Sequence, residues 1–114
     1  MNKYLAIYFG GATESEKSIP LDKKTQQEFM NAWAKWAEIH RASVIDFGCP
    51  LGKTKSVSHG KVSDKKNKMI AYSIVQAKSQ EDATKIFIGH PHLSLHSENS
   101  IEIMEMLSTP EIDQ

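Results

Sequence analysis

A chain of 114 residues, 39% hydrophobic and 25% charged, carries enough apolar material for one small core and has the composition of an ordinary globular domain. Fourteen basic and fourteen acidic residues cancel, which argues against global attraction to nucleic acid or to an anionic membrane, and the single cysteine, Cys49, excludes an intrachain disulfide. Neutrality leaves little repulsion between copies, so self-association is expected. No run approaches the roughly 18 apolar residues that span a bilayer. The opening "MNKYLAIYFGG" is too broken to be a signal peptide, so a cytoplasmic protein of one domain, residues 1–114, is expected.

The first element is a strand over residues 3–9, "KYLAIYF", stopped by Gly10-Gly11. Residues 10–21 read as a polar loop. Residues 22–41 read as a helix, because Phe29, Trp33, Trp36, Ala37 and His40 form one stripe. Asp22 and Thr25 both qualify as its N-cap, and Thr25-Gln-Gln-Glu28 fits a capping box. A short strand within "SVIDFGCPLG", 43–52, must leave regular pairing or run along an edge at Pro50, which has no N–H for a ladder. Residues 52–67 read as an exposed hairpin or long loop, with "SHGK" as a turn and lysines throughout. "KMIAYSIVQA", 68–77, is apolar on both alternating faces and reads as a strand buried on both. Ser79-Gln-Glu-Asp82 opens a second helix with Gly89 placed to end it. "SIEIMEM", 100–106, is the last strand, and 108–114 is a frayed tail.

The order β-α-β-β-α-β predicts an α+β, ferredoxin-like fold: an antiparallel sheet with both helices on one face. A strand apolar on both faces conflicts with a sheet covered on only one. Packing the open face against a copy of itself resolves the conflict, so a two-fold homodimer is expected.

The segments "KYLAIYFGG", "AWAKWAE", "VIDFGCPLG", "IAYSIVQAKSQEDATKIFIGHPHL" and "SIEIMEM", in that order and spacing, resemble the YCII-related proteins over residues 3 to about 106. The resemblance is strongest to members with "GHPHL" after the second helix and a D-x-G-x-PLG turn after the second strand. It implies a ferredoxin-like fold assembled as a dimeric α+β barrel. It also implies a family of mixed function, with some small-molecule enzymes, among them a dehydrochlorinase, and other members linked to transcription machinery. A helix histidine and an aspartate before a proline form a proposed catalytic pair in that family. Here the helix position falls near Asn31 or Ala32, and the Asp-Pro position is His90-Pro91, so the pair is not carried over.

The residues themselves offer a cluster of titratable groups at element ends. His90 and His92 flank Pro91, and in an extended segment residues two apart share a side, so both imidazoles could serve one cavity as acid or base near neutral pH. The competing reading is that these rings cap the helix end and bond backbone carbonyls. Asp46, before the Gly48–Pro50 turn, is either a partly buried base or a carboxylate held by turn amides. The candidate catalytic residues are therefore His90, Asp46 and His92, with Trp36, Tyr72 and Pro50 lining a ligand pocket. Core packing is the alternative for Trp36 and Tyr72. His90, His92 and His96 match no established zinc spacing, so no metal is expected, and Gly10-Gly11 is no phosphate loop, so no cofactor is expected. Nothing near Cys49 would lower its pKa, and the lysines of 53–68 lack interleaved aromatics, which argues against nucleic-acid binding. The function expected is binding of a small molecule in a pocket of a homodimer, with cofactor-independent acid/base chemistry possible. The alternative is a non-catalytic binding or regulatory dimer.

Overall fold

The alternation of β1 (Asn2–Phe9) sets the layers. Tyr4, Ala6 and Tyr8 point to one side and are buried in the core, while Leu5, Ile7 and Phe9 point to the other. The structure, a computed structural model, describes residues 1–17 and 20–109. After β1 come α1 (Glu14–Lys17), α2 (Lys23–Ile39), β2 (Val44–Asp46), β3 (Thr54–Ser58), β4 (Lys61–Lys65), β5 (Met69–Ala77), α3 (Gln80–Phe87), a 3-10 turn (Pro91–Ser94) and β6 (Ser100–Glu105). The protein is α+β with antiparallel sheets.

The main sheet runs β2-β5-β1-β6, with every neighbouring pair antiparallel. The strand after the hairpin thus inserts between β1 and β2, which is consistent with a ferredoxin-like arrangement. Val75, Ala77 and the partly buried Val44, Ile101 and Ile103 join Tyr4, Ala6 and Tyr8 on the helix side. Trp36 from α2 and Ala83, Ile86 and Phe87 from α3 close that core. The indole N–H of Trp36 donates to the Ile86 carbonyl at 2.8 Å, fastening α2 to α3. That carbonyl lies in the last turn of α3, where no intrahelical donor remains.

The helix ends follow from local chemistry. Asp22 is the N-cap of α2, its Oδ1 accepting from the Thr25 N–H at 2.6 Å, so Thr25 lies inside the helix. Ser79 caps α3 by accepting from the Asp82 N–H at 3.1 Å. Past the end of α3, Gly89 takes φ +76°, a conformation only glycine adopts without strain.

Residues 52–67 resolve into the β3–β4 hairpin, a sheet of its own that pairs Val57 with Val62 across the strands. Its turn, Ser58–Lys61, has Gly60 at φ +65°. Pro50 makes an isolated bridge to Ala71 at the sheet margin, where a missing N–H is tolerated. Two expectations change. Residues 10–21 were expected to be a loop throughout, but Glu14–Lys17 coil into a helical turn, stabilised by Thr13 and Glu16 bonding each other's amides. The chain around Pro91 was read as extended, but Pro91–Ser94 form a 3-10 turn. Of the expected tail, residues 110–114 lie outside the described residues.

Candidate functional site

The segment between α3 and β6 folds around an aromatic box. Pro91 pre-sets the first residue of the 3-10 turn, and His90 caps it, its Nδ1 accepting from the His92 N–H at 3.0 Å. An Nδ1 that accepts cannot carry the proton, so the neutral ring bears it on Nε2. That Nε2 is buried with no hydrogen-bond partner among the described residues. The ring packs against Trp33 and Trp36, each with centroids 4.4 Å away, and against Tyr8 at 5.2 Å. Burial, with lesser contributions from neighbouring His92 and His40, pushes the His90 pKa down from 6.5 to about 3. His92 is also buried and shifted down, first by desolvation. Its Nε2 lies 2.8 Å from the Phe9 carbonyl, which can only accept, so the ring donates there. Asn99 completes the clamp: its amide donates to the His92 carbonyl at 2.9 Å and its carbonyl accepts the Gly11 N–H at 2.8 Å.

A second group forms beside β5, where β2 pairs with it. Gly48 turns the chain after β2 at φ +72°, and a Cβ there would sit 1.7 Å from the Tyr72 carbonyl, so only glycine fits. Asp46 Oδ1 accepts the Gly48 N–H at 2.8 Å, and its Oδ2 lies 3.4 Å from the Tyr72 hydroxyl, which donates. The Asp46 charge is the main reason the Tyr72 pKa is raised, so the phenol stays protonated. Beside this pair opens a cleft of about 350 Å³, walled chiefly by Phe29, Trp33, Phe47, Cys49, Pro50 and Tyr72. The lining is predominantly apolar.

The two groups communicate. Trp33 lines the cleft with one part and packs on His90 with another. Ser73 donates to the Phe47 carbonyl at 3.2 Å, so its Oγ must accept from Tyr8, 2.8 Å away. Burial raises the Tyr8 pKa to about 12 and keeps that hydroxyl a donor.

The sequence-derived residues thus divide. Tyr72 and Pro50 line the cleft, and Asp46 stands behind Tyr72, joined to its hydroxyl. His90 and His92 meet in the box, closed from solvent, where their rings hold backbone groups. Trp36 is enclosed in the core, and the tryptophan at the cleft is Trp33, one turn earlier. His96 points elsewhere, to Glu16 at 2.8 Å. The Thr13 amide first and His96 second hold the Glu16 carboxyl down to about 2. No group of three or more His, Cys, Asp or Glu side chains among the described residues is arranged to hold a metal ion. Tyr8, Trp33, Phe47 and Asn99 were missed as site residues. Trp33 alone carried a sequence signal, its place on the helix stripe.

No family model and no curated protein matches the chain. Among solved structures, it is similar to 5-chloro-2-hydroxyhydroquinone dehydrochlorinase (TftG) from Burkholderia phenoliruptrix AC1100, in complex with 2,5-dihydroxybenzoquinone. The identity is 16%, the coverage 88% of this chain and 90% of that one, and the TM-score 0.47. No helix among the described residues is long and apolar enough to cross a membrane.

Proposed function

We propose that the protein is a homodimer, closed through the open face of its sheet as a YCII-like dimeric α+β barrel. Each subunit binds a small, largely aromatic molecule that carries a hydrogen-bond donor. The observation that carries the ligand reading is the Asp46–Tyr72 pair beside an otherwise apolar, aromatic-walled cleft. Such a cavity recognises shape and apolar area through its walls and orientation through its few polar groups. A carboxylate accepts only, so the group that replaces Tyr72 or joins it on Asp46 must donate: a phenol or an amine. If the site turns a substrate over, Asp46 takes the proton of that group and the Tyr72 hydroxyl holds the developing charge, with no cofactor required.

A non-catalytic binding dimer is the second reading. It is favoured by the closure of His90 and His92, which leaves the cleft without an accessible imidazole. Both readings share the cleft.

Quenching of tryptophan fluorescence by a panel of phenols and aromatic amines tests the binding step, since Trp33 forms a wall. Saturable quenching is expected, lost in Trp33→Leu and weakened about tenfold or more in Asp46→Asn, which keeps the shape but removes the charge. A panel that leaves both fluorescence and melting temperature unchanged contradicts the proposal. Proton release during turnover, abolished by Asp46→Asn, separates the enzyme from the binding module.

A further inference from the structure

The β3–β4 hairpin stands off the body of the molecule. Among the described residues it hydrogen-bonds to no other strand, and it exposes Val57 and Val62, a directly opposed apolar pair. The radius of gyration, 16.6 Å, exceeds the roughly 13 Å of a compact chain of this length. Between the hairpin root and the start of β5 lies a groove of about 640 Å³. Its lining combines Lys53, Lys65 and Lys66 with the apolar Leu51, Met69 and Ile70. The hairpin's own ion pair joins Lys55 to Asp64. Lys53, Lys65 and Lys66 have no ion-pair partner among the described residues.

We propose that this groove receives the acidic last strand of a second copy of the chain, an inference that rests on the sheet-to-sheet dimer above. Residues 98–109 contain three acids, Glu98, Glu102 and Glu105, and no lysine or arginine, although the chain as a whole is neutral. The same stretch exposes Met104, Met106 and Leu107. The segment is therefore acidic and apolar where the groove is basic and apolar. The sheet order supplies the geometry. Two sheets stacked about a two-fold axis parallel to their strands face each other in reversed order, so the β2 edge, from which the hairpin springs, lies against β6 of the partner. Symmetry then makes the contact twice. Charge pairing at the two ends fixes the register of an interface whose centre, being apolar, does not specify one.

Charge exchange between two variants, read by sedimentation equilibrium, tests this. Lys53→Glu with Lys66→Glu makes one chain acidic at both partners of the contact, and Glu102→Lys, on the open face across from Ile7, makes another basic on its β6 side. Each alone is expected to dimerise about tenfold or more weakly than the wild type, and an equimolar mixture to recover a heterodimer of near wild-type affinity. Recovery on mixing cannot arise from contacts within one chain. Lys53→Gln with Lys66→Gln, a milder pair, is expected to weaken the dimer by a smaller factor should a reversed chain fail to fold. If these variants dimerise like the wild type, the groove assignment is overturned while the sheet-face dimer stands. If the wild type itself is monomeric, both fall. Lysine variants that keep the dimer but lose binding of inorganic pyrophosphate would make the groove a small-anion site and overturn the assignment.

Discussion

The two nitrogens of His90 meet different surroundings: one accepts a backbone N–H, the other faces aromatic rings. Protonating the ring would place a second N–H on the accepting nitrogen and a charge in an apolar box, which is why its pKa falls to about 3. The unfolded chain, with histidines near 6.5, takes up protons that the folded one refuses. Stability is therefore full above pH 6.5 and declines as pH falls toward 3, by up to about 1.4 kcal/mol per pH unit for each buried ring. Urea unfolding between pH 7 and 4.5, above the range where Glu16 contributes, is expected to show a falling midpoint, and His90→Gln to flatten it. A midpoint constant over that range contradicts the buried neutral ring. Gly48 makes a second residue-scale prediction. Gly48→Ala meets both a positive φ and the Tyr72 carbonyl, so it should lower unfolding free energy by about 2–4 kcal/mol and disturb the Asp46–Tyr72 pair.

Elements were readable wherever one local rule decided them. Ser79 with Asp82, Gly89 and the Phe29–Trp36 stripe marked their helices because capping and periodicity are written within a few residues. The choice between Asp22 and Thr25 was less local, and Asp22 prevails because its carboxylate reaches the Thr25 amide. The 3-10 turn was missed because its capping side chain is a histidine, a residue outside the usual N-cap set. The site was half legible for a similar reason. Asp46 was singled out before the Gly48–Pro50 turn and Tyr72 within the strand read as buried, and the pairing of β2 with β5, which no local rule announces, brings them together. Trp33 and Trp36 lie on one stripe, and only the packing of α3 decides which is enclosed. The Trp36–Ile86 bond has a measurable weight. Trp36→Phe leaves a helix-end carbonyl without its donor and should lower stability by about 1–2 kcal/mol in chemical denaturation, while leaving ligand binding in the cleft unchanged.

At the scale of the molecule the protein is a slab 19 Å thick, its main sheet covered by one layer of helices. The face away from the helices carries Leu5, Ile7, Phe9, Tyr72 and Ile74 from the two central strands, with Met104 beside them on β6. Ile7, at the strand centre, is nearly closed by its neighbours, but Ile45, Ile70 and Met104 toward the margins remain exposed. Burying a side chain of this kind stabilises an assembly by roughly 1.5–3 kcal/mol, so a second copy seated here gains more than scattered surface contacts could supply. The alternation that made β5 apolar on both faces thus has one face answered by the helices, and the proposed dimer answers the other with a partner. Sedimentation equilibrium of the full chain at micromolar concentration measures this most directly. A species of twice the 12.8 kDa chain mass, dissociated by Leu5→Asp or Ile74→Asp, is the expected result. A stable single chain at that concentration would contradict it.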